Sequence, residues 1–437
     1  MKESNLLQSS MILGAGMTGL AAGYVSGLPI FEAANAPGGI CASYYLKPDT
    51  SERLFRPPDD GEAYRFEIGG GHWIFGGDAA VRQFIHHLTP LKEHVRQSSV
   101  YFHKDALYAP YPLQNHLRYL GAEVAAQALA EMARPQASFC TMFEWLEACF
   151  GPTLCRRFFF PFHERYTAGL YTSIAPQDAY KSPVNLSLAI QGALQDVPAV
   201  GYNATFRYPH SDLSTLARAM AQHCTIHYGK RAIRIDVHKK IAYFADGTEL
   251  PYNTIISTLP LNTMLSITDI QLDATDDPFT SVLVLNLGAK KGRQCPQDHW
   301  LYTPDARSGF HRVGLYSNVD VSFLPKSGQK RNNRVSLYIE RAYPGGAKPT
   351  EREIQHYIQH VVAELQEWHF IEEVEVCDPT WVEVAYTWAY PGSRWKAEAL
   401  QALETYNIYQ VGRYGRWHFQ GIADSIRDGF VVGASFL

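Results

Sequence analysis

The chain has 437 residues, of which 46% are hydrophobic and 19% are charged, and its formal net charge is −4. This length allows two or three domains with large cores, and the charge balance argues against a nucleic-acid partner. No apolar run reaches the length of a membrane span, and the seven cysteines form no C-x-x-C pair. We therefore predict a cytoplasmic protein with reduced thiols and no metal site.

A glycine-rich turn follows the first predicted strand, Met11 to Leu13, and reads Gly14-Ala15-Gly16-Met17-Thr18-Gly19. In a G-x-G-x-x-G turn the first glycine makes the bend, the second lets the backbone approach a pyrophosphate, and the third packs the following helix on the sheet. Glu32 ends the second predicted strand, Leu28 to Phe31, where a carboxylate accepts hydrogen bonds from ribose hydroxyls. The pattern predicts dinucleotide binding, and the alternative is a glycine-rich turn without a ligand.

The segment after Glu32 distinguishes between dinucleotides. It reads Ala33-Ala34-Asn35-Ala36-Pro37-Gly38-Gly39. A Gly-Gly pair just past the acidic residue resembles the FAD proteins of the superfamily that contains amine oxidases, protoporphyrinogen oxidases and UDP-galactopyranose mutases. In that group the segment wraps the pyrophosphate and ribityl chain, so the resemblance implies FAD as the cofactor.

Three glycines precede His72 in the stretch Gly69-Gly70-Gly71-His72. Glycines in this position let the backbone lie flat against a planar group, and the alternative is a glycine-rich bulge with a surface histidine. The stretch resembles the mutase segment that lies on the flavin. The resemblance implies that Gly70, Gly71 and His72 contact the flavin and that His72 takes part in catalysis.

Five other residues resemble mutase residues that contact the substrate. By resemblance, Tyr111 and Gln114 hold the uridine end, Asn203 faces the substrate, Arg312 grips the diphosphate, and Tyr390 lies near the phosphates. A planar guanidinium suits bidentate phosphate contact. The alternatives are a proline-stiffened turn around Tyr111 and a surface ion pair for Arg312.

The middle of the chain contains helical and strand patterns. Residues 113–195 are predicted to be mostly helical, and Thr350 to Trp368 is a helix with a capping box from Thr350 and Glu353. A strand from Gly309 to Tyr316 and further strands before and after it predict a β layer. The stretch around Arg231 to Asp236 resembles the second part of a split FAD domain, in which the backbone near Ala232 holds the adenine.

A second glycine-rich block lies at the other end of the chain. A predicted strand leads into a turn at Gly412 and Arg413, and a helix is predicted to begin near Gln420. A helix N-terminus there would stabilise negative charge on a reduced flavin. The block resembles the C-terminal FAD signature of the superfamily, which implies flavin contacts at Gly412, Arg413, Gly421, Ile422, Ala423 and Asp424.

We predict an α/β fold in which a Rossmann-like FAD-binding domain is split along the chain and accompanied by a helical subdomain and a mixed β-sheet substrate domain. The predicted parts are FAD-binding residues 1–105, helical residues 106–205, FAD-binding residues 206–275, β-sheet residues 276–395 and FAD-binding residues 396–437.

The resemblance implies a mutase that interconverts pyranose and furanose forms of a nucleotide-diphosphate sugar through a flavin–sugar adduct, with reduced FAD as the active form. The implied partners are a nucleotide sugar or another small molecule and NAD(P)H or another reductant. The alternatives are an FAD-dependent oxidoreductase acting on an amine, a porphyrinogen or a polyene, and an inactive FAD-stabilised module.

Two positions depart from the mutase pattern. Residues 169–176 lack the family's second diphosphate arginine, for which Arg165 and Lys181 are candidate substitutes, and Phe419 replaces a tyrosine. Both departures reduce the number of groups that could contact a diphosphate, so the sugar nucleotide or the reaction could differ from that of the family.

Overall fold

The computed structural model describes residues 10–134, 138–177, 184–201 and 203–437. Lys181 lies outside these residues, so its predicted role as a substitute phosphate ligand has no structural counterpart here. In chain order, the strands within the described residues are β1 (Ser10–Leu13), β2 (Ile30–Phe31), β3 (Ser43–Leu46), β4 (Tyr64–Glu67), β5 (Leu91–Val95), β6 (Ser98–Phe102), β7 (Leu107–Pro110), β8 (Thr205–Pro209), β9 (Ile226–His227), β10 (Ala232–Asp236), β11 (Ile241–Phe244), β12 (Glu249–Pro251), β13 (Thr254–Ser257), β14 (Phe279–Lys291), β15 (Trp300–Tyr302), β16 (Arg312–Leu315), β17 (Arg334–Pro344), β18 (Ile371–Thr387) and β19 (Ile408–Gln410).

The helices of the same residues connect and cover these strands. They are α1 (Met17–Ser26), α2 (Ala79–Leu88), α3 (Ala122–Met132), α4 (Met142–Leu154), α5 (Phe160–Tyr166), α6 (Leu186–Leu194), α7 (Leu213–Ala221), α8 (Leu261–Thr268), α9 (Tyr316–Val319), α10 (Lys326–Arg331), α11 (Glu351–Glu367), α12 (Trp395–Glu404), α13 (Gly412–Gly415) and α14 (Ile422–Ala434).

A five-stranded parallel sheet has the order β19-β13-β1-β2-β9. Its strands come from the first part of the chain, from the middle and from near the end. A parallel sheet needs helices on its faces, and α1 and α14 lie side by side here. Their backbones approach so closely that a Cβ at Gly429 of α14 would be 2.3 Å from the carbonyl oxygen of Thr18 in α1. The predicted α/β fold class is confirmed.

A seven-stranded mixed sheet with the order β18-β14-β17-β16-β15-β6-β7 forms the second large layer. Residues of β14 alternate between its two faces, as strand geometry requires. Leu283 and Leu285 pack against α11 through Ile354 and Val361, whereas Val284 belongs to the core shared with the parallel sheet. The inner face of this sheet therefore points toward the glycine-rich turns.

The hairpin of β6 and β7 belongs to the seven-stranded sheet, because β6 pairs in parallel with β15. The boundary predicted between residues 105 and 106 falls inside this hairpin. The hairpin joins this sheet through pairing between residues about 200 positions apart, which no local sequence pattern predicts. The other domain boundaries stay predictions.

Helices α3 to α6 form a layer with its own core, so the prediction of a mostly helical stretch over 113–195 is confirmed for the described residues. A π-helical turn, Cys155–Phe159, connects α4 to α5. Such turns carry one extra residue and change the direction of side chains. Phe158 and Phe159 of this turn line the cavity described below.

Two element predictions have different outcomes. The helix predicted from Thr350 is confirmed, and its capping box is formed: Thr350 Oγ1 accepts the Glu353 N–H at 3.3 Å, and the Glu353 carboxylate accepts the Thr350 N–H at 2.8 Å. The strand predicted from Gly309 to Tyr316 is too long. Only Arg312–Leu315 pairs with β17, because Tyr316 begins the short helix α9.

None of the helices in the described ranges combines the length and the apolar character that are needed to cross a lipid bilayer.

Candidate active site

The β1–α1 turn forms a cradle, and each of its three glycines has a different structural role. Gly14 has φ +97°, and a Cβ there would lie 2.3 Å from Thr258 Oγ1. A Cβ at Gly19 would lie 1.9 Å from the Gly14 carbonyl oxygen, so this glycine is required for packing. A Cβ at Gly16 would meet no atom within 4 Å, and no side chain caps α1. The helix N-terminus is therefore open toward the cavity and suited to an anion.

Glu32 lies beside this cradle and is already partly engaged by the backbone. Its Oε2 accepts the Ala15 N–H at 2.6 Å, and its Oε1 accepts the Ala34 N–H at 2.8 Å. An ionised carboxylate has about four acceptor sites, so Glu32 keeps capacity for the ribose hydroxyls predicted from the sequence. Ala15 and Ala33 do not line the cavity themselves, whereas Glu32 does.

Gly38 and Gly39 continue the cradle with left-handed backbone at φ +111° and +56°. The Gly38 N–H donates to the Ala15 carbonyl, which ties this loop to the turn, and a Cβ at Gly39 would lie 3.7 Å from the Gly16 Cα. Both glycines line the cavity. The two glycine motifs that are separated along the chain thus form one surface.

The C-terminal block meets the same surface. Gly412 has φ +77°, a Cβ there would lie 2.5 Å from Thr18 Oγ1, and its N–H donates to the Asp428 carboxylate at 2.7 Å. Helix α14 begins after Gly421, as predicted to within two residues. Gly412, Gly421, Ile422 and Arg413 line the cavity. Asp424 accepts the Gly421 N–H at 3.4 Å and, like Ala423, lies just outside the cavity lining.

His72 and its glycines form the wall between the cradle and the β layer. Gly70 has φ +81°, and a Cβ at Gly71 would lie 2.2 Å from the Tyr338 hydroxyl, so bulk is excluded at both positions. Burial, followed by the charge of Arg413, lowers the pKa of His72 to about 4. His72 is therefore neutral at pH 7, with Nδ1 3.2 Å from the Gly70 carbonyl oxygen.

An ion pair lies at the far end of the cavity. Arg312 Nε and Nη2 both bind the Glu340 carboxylate, at 3.0 Å and 2.6 Å, because the β16–β17 register places these residues opposite each other. Burial by itself would raise the pKa of Glu340, but Arg312 and the neighbouring His311 lower it to about 2. Arg312 therefore faces the cavity as half of a buried neutral pair.

One continuous cavity of about 430 Å³ connects these features. Aromatic side chains dominate its substrate end. They include Tyr111, Phe162, Tyr166, Tyr302, Tyr386 and Trp388. A cavity of this kind excludes water and presents flat surfaces to a ring-containing ligand.

Of the substrate residues predicted from the sequence, Tyr111, Asn203 and Arg312 line the cavity, and Gln114 and Tyr390 do not. Gln114 is 1% exposed in the short helix Leu113–Asn115 beneath α6. Tyr390 follows the end of β18, and its N–H donates to the Asp277 carboxylate. The roles proposed for these two residues have no support from their position.

Two further predicted positions also lie away from the cavity. Ala232 begins β10 in the separate three-stranded sheet β10-β11-β12. Arg165 donates from Nη1 to the Pro161 carbonyl at 2.8 Å and does not line the cavity, so its position gives no support to a role in place of the missing arginine. Phe419 lies beneath Arg413, whose guanidinium carbon is 4.7 Å from the ring centroid.

The sequence analysis missed several residues that line the cavity, among them Glu340, His311, His163 and Tyr386. His163 is held by its Nδ1 at 2.7 Å from the Phe159 carbonyl oxygen, and burial lowers its pKa to about 4. The sequence contained one pattern that could have indicated His311 and Glu340. His311 directly precedes Arg312, and a glutamate ends the apolar run from Val335.

The fold and the cradle define a nucleotide-cofactor protein whose binding surface comes from both ends of the chain. The chain belongs to the family of flavin containing amine oxidoreductases, whose model matches residues 28–430. A flavin fits the residues present, because the open N-terminus of α1, the Gly421 end of α14 and the glycines of the three turns line one cavity. No curated protein matches the sequence.

Solved structures with the same fold have different activities in their names. A reduced UDP-galactopyranose mutase is 21% identical, with a TM-score of 0.81 over 97% of this chain and 94% of that chain. A protein from Exiguobacterium sp. 255-15, provisionally assigned as a protoporphyrinogen oxidase, is 12% identical, with a TM-score of 0.68 over 98% of both chains. A double mutant of putrescine oxidase is 14% identical, with a TM-score of 0.58 over 98% of both chains.

Proposed function

We propose that this protein is an FAD-dependent mutase that interconverts the pyranose and furanose forms of a nucleotide-diphosphate sugar. One observation carries the proposal: Tyr111, Asn203 and Arg312, three residues from separate stretches that resemble mutase substrate motifs, line one cavity with the flavin cradle. The TM-score of 0.81 to a UDP-galactopyranose mutase is consistent with it.

Arg312 is the group that would hold the diphosphate. Its Nε and Nη2 are engaged by Glu340, and its Nη1 has no protein acceptor among the described residues. The ion pair fixes the guanidinium plane, so the remaining N–H groups are oriented before a ligand arrives. A phosphate oxygen is an acceptor that suits them.

Tyr111 and Asn203 are positioned by one buried arginine. Arg96 donates from Nη1 to Asn203 Oδ1 and from Nη2 to the Tyr111 carbonyl at 2.9 Å, and its guanidinium carbon lies 5.4 Å from the Tyr111 ring centroid. With Oδ1 occupied, Asn203 presents its amide N–H groups as donors. The tyrosine ring supplies a flat apolar surface for a base or a sugar.

Reduced FAD, when bound, would supply an electron-rich ring for covalent catalysis without net redox change. The chain's own contribution is to orient the sugar over that ring, to hold the leaving diphosphate with Arg312, and to exclude water with the aromatic wall. The neutral His72 adds no charge beside the ring.

A second candidate is an FAD-dependent oxidoreductase acting on a small molecule, and one observation favours it. Glu340 neutralises Arg312, and the remaining wall at the substrate end is largely aromatic. An amine or an apolar ring compound would need less positive charge there than a diphosphate does.

Turnover by the flavin-loaded protein would separate the two candidates. The holoprotein, oxidised or reduced with dithionite, is incubated anaerobically with a panel of nucleotide sugars, and products are separated by chromatography. A mutase converts sugar only when reduced and gives many turnovers per reducing equivalent. Stoichiometric bleaching of the oxidised flavin by an amine or a porphyrinogen, without sugar conversion, would refute the mutase proposal.

A substitution of Arg312 needs a matched control. Arg312→Ala removes the phosphate donor and leaves Glu340 as an unpaired buried charge, which alone costs about 3–5 kcal/mol of stability. The pair Arg312→Met with Glu340→Gln removes the donor without that charge. We expect UDP binding to the reduced protein to weaken by about 2–4 kcal/mol in this double variant while flavin is retained. Unchanged UDP affinity would remove Arg312 from the proposed site.

A further inference from the structure

Three ionisable side chains form a chain at the substrate end of the cavity: His311, Glu340 and Arg312. His311 is 1% exposed, its Nε2 lies 3.4 Å from Glu340 Oε2, and neither ring nitrogen has a hydrogen bond of good geometry. Its backbone N–H donates to the Glu340 carbonyl at 3.0 Å, which fixes the ring beside the carboxylate. The proposed function does not use this histidine.

The charge count of the three groups is the reason to consider them together. With His311 neutral, Arg312 and Glu340 cancel and the group has no net charge. A dianionic ligand that enters this desolvated end of the cavity would meet a guanidinium whose charge is already balanced. A buried anion without compensating positive charge is strongly unfavourable.

In the described part of the chain, the rings that contact His311 are aromatic, and Arg413 is a further cation of the same cavity that acts on His72 and Tyr386. Helix α5 contributes the rings of Phe162 and Tyr166, at 6.1 Å and 5.4 Å between centroids. Around Arg312 the further ionisable groups are the hydroxyls of Tyr302, Tyr338 and Tyr386 and the imidazole of His72. A proton on His311 is therefore the nearest change that would make the group positive.

We propose that this cavity takes up a divalent anion together with one proton, and that His311 receives the proton beside Glu340. This inference rests on the proposed function only in requiring an anionic ligand at Arg312. The proton comes from solvent, no bond is broken in the ligand, and the site changes from neutral to singly positive as the anion binds. His311 acts through Glu340 and Arg312, so it is a positioning residue.

Without an anionic ligand the surroundings of His311 favour the unprotonated imidazole, and binding of the anion reverses that preference. Burial, with a contribution from Arg312, lowers the pKa of His311, while Glu340 opposes the shift. A bound anion offsets the positive charge of Arg312 and raises the pKa of the imidazole. By linkage, affinity increases as the pH falls, by about tenfold per pH unit where one full proton is coupled.

The test is calorimetry on the flavin-loaded protein with inorganic sulfate and, separately, UDP-galactose. Both probes keep a constant charge from about pH 6 to about pH 8, so proton uptake belongs to the protein. Titrations in buffers of different ionisation enthalpy give the number of protons taken up. We expect about one proton per bound anion in the wild type and about none in His311→Gln.

Two further variants keep the test independent of folding defects. Glu340→Gln leaves Arg312 uncompensated, so it should bind the anion without proton uptake and with little dependence on pH. His299→Gln removes another buried neutral histidine, in the loop before β15, and should leave the proton uptake unchanged. A merely structural role for His311 would not change proton uptake.

Each outcome decides the inference. Anion binding in the wild type with no proton uptake, or with the same uptake in His311→Gln, would overturn it, and so would failure of both probes to bind. Sugar conversion without proton uptake would leave the mutase proposal standing and reject this one. Sulfate binding with a proton, but no conversion of any nucleotide sugar, would reject the mutase proposal and leave this one standing.

Discussion

Replacing Gly16 by aspartate should stabilise the polypeptide and at the same time remove its flavin. Gly16 is the N-cap of α1, with φ −72° and ψ 178°, and a Cβ there meets no atom within 4 Å. Any L-residue therefore fits the backbone and the space. We predict that the cofactor phosphates lie beside this position, so folding and cofactor binding make opposite demands on it.

The expected magnitudes follow from the cap and from charge. Aspartate is a better N-cap than glycine by a few tenths of a kcal/mol, and its charge at a helix N-terminus adds about 0.3–1 kcal/mol. The unfolding free energy of the apoprotein should therefore rise by about 0.5–1 kcal/mol. A carboxylate about 5 Å from a diphosphate charge costs about 3 kcal/mol at an effective dielectric constant of 20, which is more than a hundredfold in affinity.

The assay measures urea unfolding of the apoproteins and flavin absorbance per polypeptide in the purified proteins. Gly19→Ala is the matched control, because its Cβ would lie 1.9 Å from the Gly14 carbonyl oxygen and the strain should cost about 1–3 kcal/mol of stability. Wild-type flavin content in Gly16→Asp would refute the assignment of this turn to the phosphates. A destabilised Gly16→Asp apoprotein would refute the reading of α1 as an open helix end.

Three further predictions concern stability. Arg312 depresses the pKa of Glu340 to about 2, so the pair contributes about 3 kcal/mol to the free energy of unfolding above about pH 4.5. This stability is lost as the pH falls toward 2. Acid titrations of the wild type and of the Arg312→Met, Glu340→Gln double variant should show the loss only in the wild type. Burial lowers the pKa of several histidines, His299 among them, to about 4, so the free energy of unfolding should fall by about 1.4 kcal/mol per pH unit for each of them between about pH 6.5 and about pH 4. In urea unfolding, His299→Gln should reduce the slope of this free energy against pH by the amount that corresponds to about one proton. An unchanged slope would mean that His299 is not buried in the neutral form. Thr350→Ala removes a formed capping box and should lower the free energy of unfolding by about 1 kcal/mol, measured by heat or urea, with no change in flavin content. A loss of flavin would show that α11 is coupled to the cofactor cradle.

Much of the cofactor cradle could be predicted from the sequence, because it consists of local backbone geometry. Gly14 and Gly412 need positive φ, and Gly19 lies against the turn five residues earlier. A positive φ is a requirement on a single residue, and glycine is the residue type that meets it, even though the side chains nearest to Gly14 and Gly412 come from distant parts of the chain. The capping box at Thr350 was predictable for the same reason, since both of its partners lie within four residues.

The substrate end depended on the tertiary structure. Arg312 was visible as a strand arginine, but its partner Glu340 lies 28 residues away, and only the register of β16 on β17 makes them neighbours. A shift of one residue would turn every side chain of the strand to the other face. Tyr386 lines the cavity and Tyr390 does not, because β18 continues to Thr387 before the chain turns away.

Local sequence therefore determined the individual glycine turns of the cofactor cradle, through their φ angles and short spacings, whereas the tertiary structure brought the turns from both ends of the chain together. Pairing between distant strands decided the charge of the substrate end, because register is the property that sets which side chains meet across a sheet. The hairpin of β6 and β7 follows the same rule: its membership in the large sheet depends on Ser98 lying opposite Trp300, a pairing that the packed core enforces and no local pattern specifies.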